Sequence, residues 1–410
     1  MPQEQSVQWL PVQVDDERPR GELRVYGGSA TTIAGAQAAL SDLAADLGFS
    51  GEAQIEQDGG EAVLRLRPDA ASAWAPGFDT TGLASRLGLA RPDPVSLGGE
   101  ASFHGAAESA IVSDLTREIV LSMLLGPVAY RYPSIEELRA AVRVREHLVD
   151  IGGQAVLAFD TDEARRPTDC WRYSERTGFT LLPGVELKAA LERTILPAQE
   201  RLLSSFSCYR ATEYVYLLGI ARTLQEFNPP LAELLQQQWE RRGILSSEFH
   251  EIFLVEYCGI DRPMPLRYYV PGDRVWFRNP DEPSSNAEGY EGSWVFYLGN
   301  GRFGNFWKPG QPYTLEGKCL EIYHWRHGTY HDGTRLRVND DMVDAHVARS
   351  RENPREVDAI LARMMRLRDP SGIYADGGCV DATRECVRRL CPGTAGLPLP
   401  APADAPADNY

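Results

Sequence analysis

The chain has 410 residues, of which 43% are hydrophobic, and it carries a formal net charge of −16. This length and apolar content predict a sizeable buried core that divides into two or three domains. The negative charge repels phosphate backbones and anionic headgroups, so nucleic acid is excluded as an expected partner.

The composition also favours a soluble, cytoplasmic protein that does not span a membrane. The N-terminal residues MPQEQ lack the basic start and apolar core of a secretion signal. The sequence holds no run of the roughly 18 apolar residues that a membrane span requires. The seven cysteines are an odd number on a long chain, which is typical of reduced thiols rather than of a disulfide framework.

The first predicted elements form a small N-terminal α+β unit. Alternating and helical apolar spacings predict a strand over residues 22–26, a helix over 33–47, and strands over 53–57 and 62–66. The stretch 68–100 contains several proline and glycine breakers and is interpreted as a connector. No motif identifies the role of this unit, so a small-molecule-binding function for it stays open.

The helical signal strengthens from residue 107, and a sheet is predicted further along the chain. Ser134, followed by Glu136 and Glu137, predicts the start of a helix that ends near residue 149. The other predicted elements are strands over 155–159 and 171–173, helices over 184–193 and 211–227, strands over 249–255, 273–278 and 293–298, and a basic amphipathic helix over 355–368. Helices followed by an antiparallel sheet are typical of an α+β fold.

The stretch SSFSCYRATEYVYLLGIARTL, residues 204–224, places Cys208 just ahead of a long apolar helix. A helix N-terminus and a nearby cation stabilise a thiolate, which is the nucleophile of thiol acyl-transfer enzymes. Such a nucleophile needs a base, usually a histidine on another element. Cys208 is therefore a candidate catalytic nucleophile. The alternative is an ordinary half-buried thiol that packs against Phe206 and Tyr209.

Several motifs follow one another in a recognisable order between residues 127 and 325. They are PVAYRYPSIEEL at 127–138, WRYS at 171–174, Ala211-Thr212 with its apolar helix, GDRVWFRNP at 272–280, and EGSWV and LGNGRF within 291–303. This order resembles the bacterial spore-coat type of protein-glutamine γ-glutamyltransferase. The most specific stretch is GDRVWFRNP, which is similar to the family's Gly-Asp-Cys-x-Tyr-Phe-Lys-Asn-Pro strand and turn.

The resemblance covers about half of the chain and implies a papain-like core, in which a nucleophile-bearing helix packs on an antiparallel sheet. It also implies acyl transfer from a glutamine side chain to a lysine amine or to water, without a cofactor. The predicted domains are a small α+β unit with its connector (1–100), a transglutaminase-like domain (107–350), a helical extension (351–392) and a disordered tail rich in Pro, Ala and Asp (393–410). The oligomeric state stays open.

Two registers compete at the family's nucleophile motif, Glu-Cys-Ala-Thr. Matching Ala211-Thr212 puts Arg210 at the cysteine position and Tyr209 at the glutamate position. Matching Phe206-Ser207-Cys208 to Phe-Glu-Cys restores the thiol but loses the Ala-Thr match. An arginine at a helix start is unfavourable unless something anionic pairs with it, and Glu213 is the simplest partner.

The resemblance places Ser293 at the family's catalytic glutamate and Asn305 at its histidine. Neither a serine hydroxyl nor a carboxamide accepts a proton near neutral pH. Arg210, Ser293 and Asn305 together therefore predict a catalytically degenerate member, a pseudoenzyme that acts by binding protein or peptide.

The alternative function is an active cysteine-dependent acyltransferase or amidase, in which Cys208 works with a substitute base. One candidate base is Glu291, which is expected on the same strand face as Ser293. The other candidates are His324, His327 and His331.

No metal site and no cofactor are predicted. The three histidines lack a defined periodic face, so a surface loop or strand is their expected setting. The spacing of the three C-terminal cysteines does not fit zinc, and they are interpreted as buried thiols of a terminal helix; they are Cys379, Cys386 and Cys391.

Overall fold

Thirteen α-helices, one 3-10 helix (Pro76–Phe78) and sixteen strands are found in the part of the chain that the structure describes. The structure is a computed structural model and describes residues 12–14, 21–27, 32–89, 106–196, 202–369, 377–394 and 397–400. The helices are α1 Ile33–Asp46, α2 Pro68–Trp74, α3 Leu83–Leu87, α4 Ala106–Leu125, α5 Ile135–Gln154, α6 Leu187–Ile195, α7 Cys208–Phe227, α8 Pro229–Arg241, α9 Ser246–Phe253, α10 Glu282–Ser285, α11 Leu315–Gly328, α12 Asp340–Arg351 and α13 Pro354–Met364. The strands are β1 Val12–Val14, β2 Glu22–Tyr26, β3 Ala53–Asp58, β4 Glu61–Leu66, β5 Val128–Tyr132, β6 Ala158–Phe159, β7 Trp171–Ser174, β8 Gly178–Leu181, β9 Ser205–Phe206, β10 Leu254–Tyr257, β11 Arg274–Arg278, β12 Gly292–Gly299, β13 Arg302–Phe303, β14 Thr329–Asp332, β15 Arg335–Val338 and β16 Arg384–Val387.

Two five-stranded sheets organise these elements, and helices cover them. The first sheet has the order β1-β5-β2-β4-β3, with β2 and β5 parallel and the other pairs antiparallel. The second has the order β10-β16-β11-β12-β13 and is antiparallel throughout. The α+β prediction is confirmed.

The N-terminal elements occur close to where the sequence predicts them, but their sheet is not built from N-terminal residues alone. Strand β5, which begins at Val128, lies between β1 and β2. The core beneath this sheet also takes Tyr268 and Val270 from far along the chain. The predicted boundary near residue 100 stays a prediction. The predicted connector differs from expectation because it contains α2 and α3, with Leu83 fully buried.

Helix α7 is the central helix of the larger core. Nearly all of its residues after the first turn are buried, as expected for a helix that is apolar on every side. It packs closely against α5, because a Cβ atom at Gly219 would lie 2.9 Å from the side chain of Leu148. The helix ends at Asn228, where Pro229 opens α8 and cannot continue the α7 hydrogen bonds.

Three segments differ from the predicted secondary structure. The strand predicted over 249–255 is helical as far as Phe253, because a short apolar run does not separate a strand from a buried helix turn. The histidine-rich stretch predicted as a loop or strand is helix α11, which Thr314 caps by accepting a 2.9 Å hydrogen bond from the Gly317 N–H. Cys386 lies on strand β16, not on a terminal helix.

The C-terminal segment is part of the core. Strand β16 lies between β10 and β11, and the carboxylate of Glu137 accepts hydrogen bonds from the N–H groups of Leu390 (2.7 Å) and Cys391 (3.0 Å). Leu397 is buried, so the predicted disordered tail is wrong at this position. Residues 401–410 lie outside the described part of the chain. Within the described ranges, no helix combines the length and apolar character needed to cross a bilayer.

Candidate functional site

Cys208 is the first residue of α7 and lines a cavity of about 570 Å³. Ser207 caps the helix, because its side chain accepts a 3.3 Å hydrogen bond from the N–H of Arg210. The Sγ atom of Cys208 lies 3.9 Å from the carbonyl oxygen of Gly292, at the start of β12. The residues that line the cavity are Asp160, Thr161, Ala164, Arg166, Ser205, Phe206, Ser207, Cys208, Tyr209, Arg210, Trp276, Glu288, Gly289, Glu291, Gly292 and Trp294.

Some of the surroundings of Cys208 raise the pKa of its thiol and others lower it. Burial is the largest influence and raises the pKa of Cys208 above its ordinary value. The backbone N–H group of Trp294, the positive charge of Lys318 and the backbone N–H group of Tyr209 lower this pKa, and the carboxylate of Glu291 raises it. At neutral pH the group is therefore a thiol, and a base must take its proton before the sulfur can act as a nucleophile.

Aromatic side chains form one wall of the cavity. The rings of Trp276 and Trp294, on adjacent strands, stack with their centroids 5.9 Å apart and their planes at 21°. Tyr209 meets Trp294 edge-on, with the centroids 5.5 Å apart. This wall suits the methylene groups of a long side chain, because flat aromatic faces bury apolar area with little loss of conformational freedom.

Arg210 also lines the cavity, but its guanidinium group is held by its own surroundings. It donates hydrogen bonds to Glu213 (2.6 Å), Ser246 (3.1 Å) and the carbonyl oxygen of Ile244 (3.2 Å). The predicted pairing with Glu213 is confirmed. Burial raises the pKa of Glu213 despite the positive charge beside it. The unfavourable position of Arg210 at a helix N-terminus is thus offset by a buried carboxylate.

A second buried cation, Arg166, belongs to the same cavity. Its guanidinium group donates hydrogen bonds to the carbonyl oxygens of Ser205 (2.6 Å) and Arg165 (2.7 Å), and it lies 3.4 Å from the centre of the Phe206 ring. Burial lowers its pKa, and no carboxylate is paired with it among the described residues. The cavity therefore holds a cation that carbonyl oxygens and an aromatic face stabilise.

The two positions matched to the family's glutamate and histidine do not line this cavity. Ser293 pairs with Phe277, and side chains alternate along β12, so it faces the core that contains Val295 rather than the wall formed by Trp294. Asn305 donates to the carbonyl oxygen of Gln311 at 2.9 Å and accepts from a backbone N–H in the same turn. The assignment of Ser293 and Asn305 as substituted catalytic positions stays a prediction.

Glu291 lines the cavity together with Cys208. It was expected on the same strand face as Ser293, but β12 begins only at Gly292, so the strand alternation does not extend to Glu291. A second carboxylate, Glu288, lines the same cavity. Carboxylates are acceptors when ionised, so this rim can receive a proton or bind an amine.

The histidines proposed as substitute bases lie elsewhere, and no histidine lines the Cys208 cavity in the described residues. His324 and His327 lie on α11, where they meet His346 of α12. His331 lies on β14, outside this group. Burial and the two neighbouring imidazoles lower the pKa of His324 to about 4.

A buried ion pair lies behind the aromatic wall. The guanidinium group of Arg274 is fully buried, donates to the carboxylate of Glu385, and lies 4.5 Å from the Trp294 ring centre and 5.0 Å from the Tyr209 ring centre. His250 approaches the other oxygen of Glu385 at 3.3 Å. Burial alone would raise the pKa of Glu385, but the two cations outweigh it and hold this pKa below its ordinary value.

The chain is similar to known proteins of one kind. The model of a family described as protein-glutamine gamma-glutamyltransferase matches residues 98–376. A protein of that name from Bacillus licheniformis is 25% identical over 187 residues, which are 43% of this chain and 68% of the relative. The solved structure of the transglutaminase from Geobacillus stearothermophilus, without its C-terminal extension, is 19% identical with a TM-score of 0.32, over 52% of this chain and 98% of that one.

The sequence identified Cys208, Tyr209, Arg210 and Glu291 as candidate site residues but missed others that line the cavity, of which three bear on its chemistry. These are Arg166, Trp276 and Glu288, which come from separate loops and from a neighbouring strand. Of these three residues, Trp276 alone lies in a motif that the sequence singled out. That motif is GDRVWFRNP, which contains strand β11, the neighbour of β12.

Proposed function

The chain belongs to the protein-glutamine gamma-glutamyltransferase family, and we propose that it transfers acyl groups from a glutamine side chain of a protein or peptide, with Cys208 as the nucleophile. One observation carries the proposal: Cys208 is the first residue of α7 and lines the cavity, with its sulfur 3.9 Å from the carbonyl oxygen of Gly292 at the start of β12. This arrangement supports the register that aligns Phe206-Ser207-Cys208 with the family's Phe-Glu-Cys.

Glu291 is the proposed proton acceptor. The sulfur of Cys208 attacks the carboxamide carbon while the thiol proton passes to Glu291. The carbon–nitrogen bond then breaks, ammonia leaves with that proton, and a thioester remains on Cys208. A lysine amine attacks the thioester, loses a proton to Glu291 and releases the thiol, or water does so and leaves a glutamate.

Arg210 is proposed as a supporting residue rather than as the nucleophile's replacement. Its bonds to Glu213, Ser246 and the Ile244 carbonyl oxygen fix the first turn of α7. A fixed first turn keeps the N–H group of Tyr209 in place beside the sulfur, which is the preorganisation that stabilises developing negative charge.

The second candidate function is binding of a protein or peptide without chemistry. Two observations favour it: burial keeps Cys208 protonated near neutral pH, and no histidine is found among the described residues that line the cavity. On this alternative, the wall of Trp276, Trp294 and Tyr209 would bind a side chain and the acyl transfer would not occur.

Amine incorporation distinguishes the two candidates. We expect the full chain to attach a fluorescent primary amine to a glutamine-rich acceptor protein, Cys208→Ala to abolish this, and Glu291→Gln to slow it by about 10²–10⁴-fold through loss of the base. The measurement is fluorescence of the acceptor band over time at several pH values.

Two matched substitutions serve as controls for this assay. Cys258→Ala removes a thiol outside the cavity, and Glu251→Gln removes an exposed glutamate that does not line it; both should retain activity within a few-fold. Full activity in Cys208→Ala would contradict the nucleophile assignment. No incorporation by the unaltered chain, together with saturable binding of the acceptor that Trp294→Ala weakens, would favour binding without chemistry.

The alkylation rate of Cys208 is expected to rise by about tenfold per pH unit between pH 7 and 9. Only the thiolate reacts, and burial holds the pKa of Cys208 above its ordinary value. Glu291→Gln should speed alkylation at a given pH, because the carboxylate raises this pKa, although the same substitution slows acyl transfer. The measurement is iodoacetamide labelling with mass mapping, and a rate for Cys208 that is flat across this range would contradict the prediction.

A further inference from the structure

Three histidines converge where helices α11 and α12 pack together, away from the Cys208 cavity. His324 and His327 are three residues apart on α11, which puts them on one helix face, and His346 projects from α12. One ring nitrogen from each lies within 4.8 Å of the other two, and the Nδ1 atoms of His324 and His327 are 2.9 Å apart. We call these three residues the histidine cluster.

The rings of the histidine cluster are held by packing. His346 stacks on His327 with centroids 4.7 Å apart and planes at 25°, and on His324 at 5.7 Å and 22°. The two helices are close at this point, because a Cβ atom at Gly328 would lie 2.7 Å from the side chain of Val343. The packing therefore already holds the three imidazole rings close to one another.

Hydrogen bonds fix which nitrogen of His324 faces the cluster. Its Nε2 atom lies 2.9 Å from the hydroxyl of Ser350, and that hydroxyl donates its single hydrogen to Glu356 at 2.7 Å. Ser350 must therefore accept from the Nε2–H group of His324. In the neutral ring this leaves the lone pair on Nδ1, which is the atom that faces His327.

We propose that the histidine cluster binds a borderline transition-metal ion, with Zn²⁺ as the physiological candidate. Three neutral imidazoles are a donor set that Zn²⁺ accepts, and the Ser350–Glu356 chain orients His324 as outer-shell partners of metal-binding histidines do. Tetrahedral Zn–N bonds of about 2.0–2.1 Å require nitrogens about 3.3 Å apart. The Nδ1 atoms of His324 and His327, 2.9 Å apart, are closer than this, and no separation in the cluster exceeds 4.8 Å, so small side-chain shifts of the three histidines would complete the site.

The ion has a fourth position that no residue of the histidine cluster fills. His327 is exposed, so water can complete the tetrahedron. The nearby positive charge of Arg326 is compensated by Asp281, whose carboxylate lies 3.5 Å away. None of the three histidines lines the Cys208 cavity, so the ion would join α11 to α12 and take no part in acyl transfer.

Metal titration of the full chain tests this site, after chelator treatment and removal of the chelator. Bound Co²⁺ should give the intense visible absorption of a tetrahedral site. No near-ultraviolet charge-transfer band should appear, because no thiolate binds the ion. Added Zn²⁺ should displace the Co²⁺ and remove the visible band. The midpoint of thermal unfolding should rise with the logarithm of free Zn²⁺, because the ion binds the folded chain. Ser350→Ala should weaken the affinity by about 10–100-fold, as loss of an outer-shell partner does.

His346→Ala should abolish the Co²⁺ signal, and His331→Ala is the matched control because this histidine lies on β14 outside the cluster. His346 is half-buried at the surface, so its loss should leave the metal-free unfolding midpoint unchanged. Equal Co²⁺ binding by the unaltered chain and His346→Ala, a thiolate charge-transfer band, or no saturable binding would each overturn the proposal.

Discussion

Glu385→Ala is expected to lower the free energy of unfolding by about 3–5 kcal/mol, because it leaves a buried guanidinium group without its carboxylate. Arg274 is fully buried and donates to Glu385, and its other described hydrogen-bond partner is the hydroxyl of Thr212 at 3.1 Å. The substitution also leaves His250 without the carboxylate that raises its pKa. Urea unfolding followed by tryptophan fluorescence measures the change.

The control for this prediction is a carboxylate in an exposed ion-pair cluster. Glu226 binds Arg143 and His147 at the surface, and its removal should cost about 1 kcal/mol or less. Glu385→Gln should fall between the two, since it keeps the size of the side chain and removes the charge. Equal losses for Glu385→Ala and Glu226→Ala would contradict the prediction.

The ion pair also bears on the cavity, because Arg274 lies against two of its aromatic rings. Its guanidinium group contacts the faces of Tyr209 and Trp294, so an uncompensated charge there would draw in water or shift the side chain. Glu385→Ala is therefore expected to impair amine incorporation even under conditions where the protein remains folded.

Phe296→Ala is the second substitution with a large expected effect, about 3–5 kcal/mol of unfolding free energy. Phe296 is fully buried on β12 and meets Tyr216 of α7 edge-on, with the ring centroids 4.8 Å apart. Truncation leaves a cavity between α7 and the strand that carries Trp294. The same urea measurement applies.

Two further substitutions test whether the loss of stability in Phe296→Ala comes from lost packing. Phe296→Leu should lose less than Phe296→Ala because it refills part of the volume. Tyr330→Ala removes an aromatic ring that is 47% exposed and should change stability by no more than about 0.5 kcal/mol. A loss below about 1 kcal/mol for Phe296→Ala would mean that the sheet and α7 are not held together by this contact.

Local patterns were enough to predict the elements with strong periodicity. Strand β2 and helix α1 were predicted almost to the residue, and the apolar run after Cys208 predicted α7 apart from its first turn. The pairing of β5 with β2 was not predicted, because it joins residues about a hundred positions apart and no local pattern encodes a partner.

The site residues, like the secondary-structure elements, were predicted where a local pattern marks them and missed where none does. Cys208 was found because a helix start is a local feature, whereas Arg166 reaches the cavity through a loop that the sequence does not mark. The histidine cluster was missed because the spacing of His324 and His327 has meaning only on a helix, and its third member lies on α12. His331, the third histidine in the sequence motif, lies on β14 outside the cluster.

The position of β16 inside its sheet has a consequence for how the protein is made. A ribosome releases β10 and β11 before it synthesises the strand that separates them, about a hundred residues later. At roughly 5–20 residues per second, strand β10 is without its β16 neighbour for about 6–25 s. During translation its unpaired edge is open to non-native association. Slow synthesis of this interval would therefore favour aggregation, and a chaperone that shields exposed strand edges would raise the yield of folded protein.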